Sequence, residues 1–173
     1  MKRLFHNVVW PAVAGNVAWA FFTVLVEAHW SDHIFWARLA ALLAVGIYLA
    51  ADWYNTDEVF SKINPSYWVA DAFLAPAIAV FAIATQARNP WAVYAIAVTF
   101  FVAIIGHLFG AWDDTAPGTS AIKERRKLAA VNAMGLLIIG VAALFGPPYT
   151  IWSAPIAIAL VVTIFLAYAY RHR

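Results

Sequence analysis

Six apolar stretches separated by short polar links dominate the pattern along this chain. Each is far longer than a strand and close to the ~20 residues that a helix needs to cross a hydrocarbon layer. They predict helices over 8–30, 34–54, 66–86, 91–112, 128–146 and 149–170. The Ser31-Asp32-His33 link is so short that the first two must form an antiparallel hairpin. Asn64-Pro65 and Asn89-Pro90 open the third and fourth helices. Asn accepts a bond from an orphan N–H there, and Pro fits the first turn. Gly146-Pro147-Pro148 separates the last two, and a longer polar loop, Asp113 to Lys127, precedes the fifth. The fold class expected is all-α: one polytopic membrane domain over 1–173, a bundle of six transmembrane helices with both termini cytoplasmic.

Composition sharpens this picture. Of 173 residues, 65% are hydrophobic and 12% charged, against about 25% charged in an ordinary soluble domain. A soluble fold of this length has too little interior to hide such a surplus, so the lipid bilayer is the expected solvent and partner. No cysteine is present, which excludes disulfides, thiolate metal sites and cysteine nucleophiles. Met1-Lys2-Arg3 before an apolar run resembles a signal peptide, but the run is too long for one and reads as a span. The basic run Lys123–Lys127 is short and contains Glu124, so it reads as a juxtamembrane anchor and not as a nucleic-acid site.

Charge asymmetry sets the expected orientation. With the N-terminus inside, Lys2, Arg3, Lys62, the four basic residues of 123–127, Arg171 and Arg173 are cytoplasmic. Only Arg88, and Arg38 just within the second span, lie towards the outside. Trp10, Trp53, Tyr54, Tyr67, Trp68, Trp112, Tyr168 and Tyr170 then form an inner aromatic belt, and Trp30, Trp36, Trp91, Tyr94, Tyr149 and Trp152 an outer one. A bacterial inner membrane is the commonest home for so compact and loop-poor a chain.

Candidate chemistry comes from ionisable residues inside the spans, where each costs roughly 2.5–3.5 kcal/mol at bilayer centre and less near the ends. At 100° per residue, Arg38, Tyr48 and Asp52 fall within about 40° on one face of the second helix, and Asn16, Thr23 and Glu27 share a face of the first. Glu27 and Arg38 lie at matched depth on adjacent helices, a salt bridge or an outer vestibule with Trp36, Gln86 and Arg88 around it. On the cytoplasmic side Asp52, Asp71, His107, Asp113, Asp114 and Asn132 converge in depth. Asp71 with His107 is the pair best suited to a protonation switch, because imidazole titrates near neutral pH and a carboxylate tunes it. A metal on Asp52, Asp71 and His107 would be oxygen-rich, suiting Mg²⁺, Mn²⁺ or Fe, but no ligand motif supports one, and no cofactor is indicated. Gly-flanked serine elbows and phosphate loops are absent from the sequence.

Asn16-Val17-Ala18-Trp19 resembles four residues of the Asn-x-Ala-Trp-Glu stretch of integral-membrane terpene cyclases. Ala20 stands where that family has its acid, so no catalytic role carries over. The six-span layout, with Ala14 and Ala18 spaced i, i+4 on the first helix, is similar in architecture to the membrane-embedded vitamin-binding subunits of energy-coupling-factor importers. The outer loops here are shorter than that family's lid. The expectation is a transport-type protein that binds and passes a small solute or cation along an inward-facing polar track. The alternative is an intramembrane enzyme acting on a lipid or isoprenoid with the Asp/His cluster. The apolar fifth and sixth helices are expected to buttress the bundle or to form a homo-oligomer contact.

Overall fold

In a computed structural model, the backbone is described for residues 5–27, 30–59, 66–89, 91–112 and 119–171. Side chains are described for the same set without 5–6, 51–59, 66–71, 109–112, 119–125, 147–150, 165 and 168–171. A π-helical turn, Phe5–Val9, leads into α1 (Trp10–Val26), followed by α2 (His33–Val59), α3 (Ser66–Gln86), α4 (Ala92–Trp112), α5 (Thr119–Phe145) and α6 (Pro147–Arg171). Among the described residues there is no strand.

Local chemistry accounts for the helix ends. Asp32 Oδ1 accepts the Ile34 N–H at 2.8 Å and caps α2. Asn89 Oδ1 does the same for Trp91 N–H at 3.0 Å ahead of α4. Gly146, at φ +91°, ends α5 in the left-handed region where a side chain would be strained. The two prolines expected to break the chain after it sit in the first turn of α6, where a missing N–H costs nothing. α5 begins at Thr119, nine residues ahead of the expected start, because Lys, Glu and Arg favour a helix even outside lipid. The basic run therefore lies on a helix and not in a loop. α1 stops at Val26, short of the expected 30.

The helices close into a ring whose neighbours run α1, α2, α6, α5, α4, α3 and back to α1. Across the middle, α2 touches α3 and α4 touches α6 only lightly. Each buried face repeats at three- and four-residue steps: Trp10, Val13, Val17, Ala20 and Val24 on α1; Phe35, Arg38, Leu42, Val45 and Leu49 on α2; Ile78, Phe81, Ala82 and Thr85 on α3. Trp10 is buried within the bundle. α6, expected as a buttress, sits between α2 and α5 with Ala154, Ala157, Ile158 and Val161 buried.

The opposite faces are apolar too. Trp19, Phe22, Leu43, Ile47, Phe73, Val80, Val98, Phe101, Leu137 and Leu144 all face outward around the ring, a perimeter that a water-soluble bundle would make polar. Asn7–Val26, His33–Ala50 and Arg126–Phe145 are long and apolar enough to cross a membrane, by length and composition. Shorter apolar stretches occupy Ala72–Gln86, Ala92–Leu108 and Ile151–Ile164.

Gly135 marks a close approach of three helices. A Cβ there would lie 3.0 Å from the Phe100 ring on α4 and 3.2 Å from Val161 on α6, whereas at Gly140 nothing lies within 4 Å. Gly135→Ala is expected to destabilise the bundle by about 1–2 kcal/mol through overpacking. Gly140→Ala is expected to be neutral or to stabilise by up to ~1 kcal/mol through helix propensity. Thermal unfolding of the two variants in detergent checks the difference in sign.

Candidate functional site

The site grows from one side chain, Arg38, which occupies a core position of α2 and is only 6% exposed. Neighbouring Ala37 and Ala41 are also buried, and their small size leaves room for the guanidinium. Its partners lie on two other helices. Nε donates to the Thr85 carbonyl at 2.7 Å and Nη2 to the Gln86 carbonyl at the end of α3. Nη1 donates to Glu27 Oε2 at 3.0 Å, just past α1. The last carbonyls of a helix have no intrahelical donor and carry the negative end of its dipole, so a buried cation there gains bonds and charge compensation together. Lysine lacks the planar fork that reaches three acceptors at once.

The end of α3 prepares those acceptors. Arg88 N–H donates to Thr85 O at 3.2 Å and Asn89 N–H to Ala84 O at 2.8 Å, the paired bonds of a Schellman turn. Its left-handed residue, usually glycine, is Arg88 at φ 55°. A non-glycine residue there costs of order 1–2 kcal/mol. Arg88 Nη2 reaches the same Glu27 Oε2 at 3.5 Å, an exposed pair. An exposed ion pair contributes at most about 1 kcal/mol.

Glu27 lies one residue past the apolar span Asn7–Val26. Partial burial pushes its pKa up, but the hydrogen bond and charge of Arg38, with Arg88 beside it, hold it below the ordinary value.

Between the lightly touching central helices, at the end carrying the 27–33, 86–92 and 145–147 links, lies a pocket of about 350 Å³. Arg38, Ala37 and Ala41 of α2, Phe81 and Thr85 of α3, Ala92, Val93 and Tyr94 of α4, and Ile151 and Ala154 of α6 wall it, with Asp32, Arg88, Asn89, Ala143 and Gly146 also lining it. Thr85 is distinctive. Thr23, Thr99 and Thr163 each donate their hydroxyl to the carbonyl four residues back, at 2.9, 2.9 and 2.7 Å. The buried Thr85 hydroxyl has no partner among the described residues.

Of the residues singled out from sequence, Glu27 and Arg38 are brought together. Trp36 packs on Trp30 and Phe35 (centroids 5.6 and 5.2 Å) and donates Nε1–H to the Trp30 carbonyl at 3.0 Å, outside the pocket lining. Asn16 and Thr23 are half-buried beside the core stripe of α1, and Tyr48 is half-buried on α2. His107 is half-buried on α4, and Asn132 is buried on α5 with Nδ2 donating to Leu128 O at 2.8 Å. The side chains of Asp52 and Asp71, and Asp113 and Asp114 entirely, lie outside the described residues, and with them the Asp71–His107 relation. Among the described residues, no group of three or more His, Asp or Glu could hold a metal ion.

Sequence reasoning missed the carbonyl acceptors of α3, which carry no side-chain signature. It also missed the wall given by α5 and α6, whose alanines look alike on every face. Comparison with family models, curated proteins and solved structures finds no match.

Two outcomes follow. Arg38→Met removes the shortest contact of Glu27 and a donor to each of the Thr85 and Gln86 carbonyls, and is expected to cost about 2–3 kcal/mol. Glu27→Gln, at a half-exposed site, is expected to cost well under that, and unfolding in detergent ranks the two. Because the Glu27 pKa is lowered on folding, its stabilisation is complete above the ordinary carboxylate range and lost as pH falls through the native pKa. The melting temperature is therefore expected to drop from pH 7 towards about pH 4, and Glu27→Gln to flatten that drop.

Proposed function

We propose that the chain is a six-span membrane protein of transport type, with both termini cytoplasmic, that binds a small solute in the Arg38 pocket and passes it inward. The observation carrying this reading is the pocket's position. It lies in the middle of the ring, lined by residues of five helices and turned towards the links, and not on the outer perimeter. Pockets with apolar walls and a few fixed polar groups are the usual form of a small-molecule site. The charge asymmetry supports a periplasmic or extracellular opening, and hence a bacterial inner membrane as the setting.

Beyond the pocket, passage follows the inner polar residues, with His107 and the carboxylates of 52, 71, 113 and 114 as the protonation step. The absence of cysteine makes the topology directly testable. Ser31→Cys is expected to react with a membrane-impermeant maleimide in intact cells, and Arg126→Cys only after permeabilisation. Equal labelling of both in intact cells would rule out this orientation.

For passage itself, purified protein in vesicles with an entrapped pH dye is expected to show solute-driven proton movement that is abolished in His107→Ala. It is expected to be abolished too when Ala154→Trp fills the pocket. Solute-driven proton movement that persists in both variants would refute the path.

A further inference from the structure

We infer that the pocket takes a small carboxylate: a single negative head on an apolar body of about a dozen heavy atoms. This rests on reading the pocket as a binding site and adds the class of its ligand. Two guanidiniums, Arg38 and Arg88, line the pocket and share one carboxylate oxygen, Glu27 Oε2, at 3.0 and 3.5 Å. The acid in the lining itself is Asp32, which caps α2 and ion-pairs with neither arginine among the described residues. The formal charges of Arg38, Arg88, Glu27 and Asp32 cancel, but among the described residues the two arginines have Glu27 alone as ion-pair partner, so the arginine end of the pocket disfavours a cationic head and favours a monoanionic one.

Arg38 has five N–H groups, of which its three bonds use three. The others offer the charge-assisted bonds that a carboxylate takes best. Thr85, 4% exposed and lining the same cavity, adds a hydroxyl without a partner among the described residues.

The strained backbone at Arg88 points the same way. A glycine would fit that turn without cost, and the long exposed contact to Glu27 does not compensate for an arginine there. Stability alone would favour glycine; an anion-binding role accounts for arginine. Size sets the rest. A volume of about 350 Å³ holds roughly a dozen groups of about 30 Å³ each, and Phe81, Val93 and Ile151 in the walls call for hydrocarbon.

The test uses the full chain in phosphatidylcholine nanodiscs at about pH 8, with empty discs as the partitioning control. Titration calorimetry compares octanoate with octan-1-ol and octylammonium, which share its body and differ in the head. Octanoate is expected to bind at least about ten-fold more tightly than either. Arg88→Gly is expected to lower octanoate affinity about ten-fold, leave octanol unchanged and not lower the melting temperature, an outcome no purely structural role for Arg88 produces. Equal binding of octanoate and octanol would overturn the anion inference while leaving the pocket as a binding site. Undiminished octanoate binding in Arg88→Gly would also overturn it. Hexadecanoate binding more tightly than octanoate would overturn the size limit and assign a membrane lipid. Saturable binding of none of the three probes would remove the binding-site reading itself.

Discussion

A buried guanidinium joining three helices is the constraint on which the rest of this molecule depends. Arg38 cannot shed its charge, so the fold must bring acceptors to it or fail. It draws them from two places that had reason to seek a cation: the last carbonyls of α3 and the carboxylate just past α1. One side chain thereby fixes the relative height of α1, α2 and α3 at the link end. The flanking alanines matter as much as the charge. Larger residues at 37 and 41 would take up space beside the guanidinium and shrink the pocket.

Such a polar knot has unusual weight in this chain because apolar contact does little to choose among arrangements. Inward and outward faces are both apolar, and where lipid is the solvent a leucine gains little by turning from one to the other. What remains to discriminate is close packing and polar pairing. Close packing is visible in the buried alanines and at Gly135, whose missing side chain admits the Phe100 ring and Val161. Polar pairing is visible at Arg38. The two devices lie in different parts of the ring, one in the α4–α5–α6 group and the other in α1–α2–α3.

That division explains what could be read from the sequence. The six helices were legible because each is a long apolar run and its ends are marked by Asn, Asp, Pro and Gly chemistry. Glu27 with Arg38 was legible because two opposite charges at equal depth on a short hairpin have few alternatives to each other. The order of helices around the ring was not, since a helix apolar on all sides has no periodicity to show which face meets a neighbour. The α3 acceptors were hidden for another reason. The turn that presents them normally announces itself by glycine, and here an arginine holds that place. The early start of α5 was obscured because a basic, polar run reads as loop by composition and as helix by propensity, and propensity prevailed.

The same geometry bears on how binding could become movement. α2 and α3 touch only lightly, so the Arg38 bonds supply much of what holds them together at the pocket. A carboxylate that first took the two N–H groups left over and then drew the guanidinium towards itself would compete with those bonds. A ligand that drew the guanidinium away from Thr85 and Gln86 would replace a link between helices by a link to itself, and the two helices would then be joined mainly through the ligand. Binding energy would in that way be converted into freedom between α2 and α3, which a ligand seated only on the apolar walls could not achieve, since it would leave the bonds between the helices as they were.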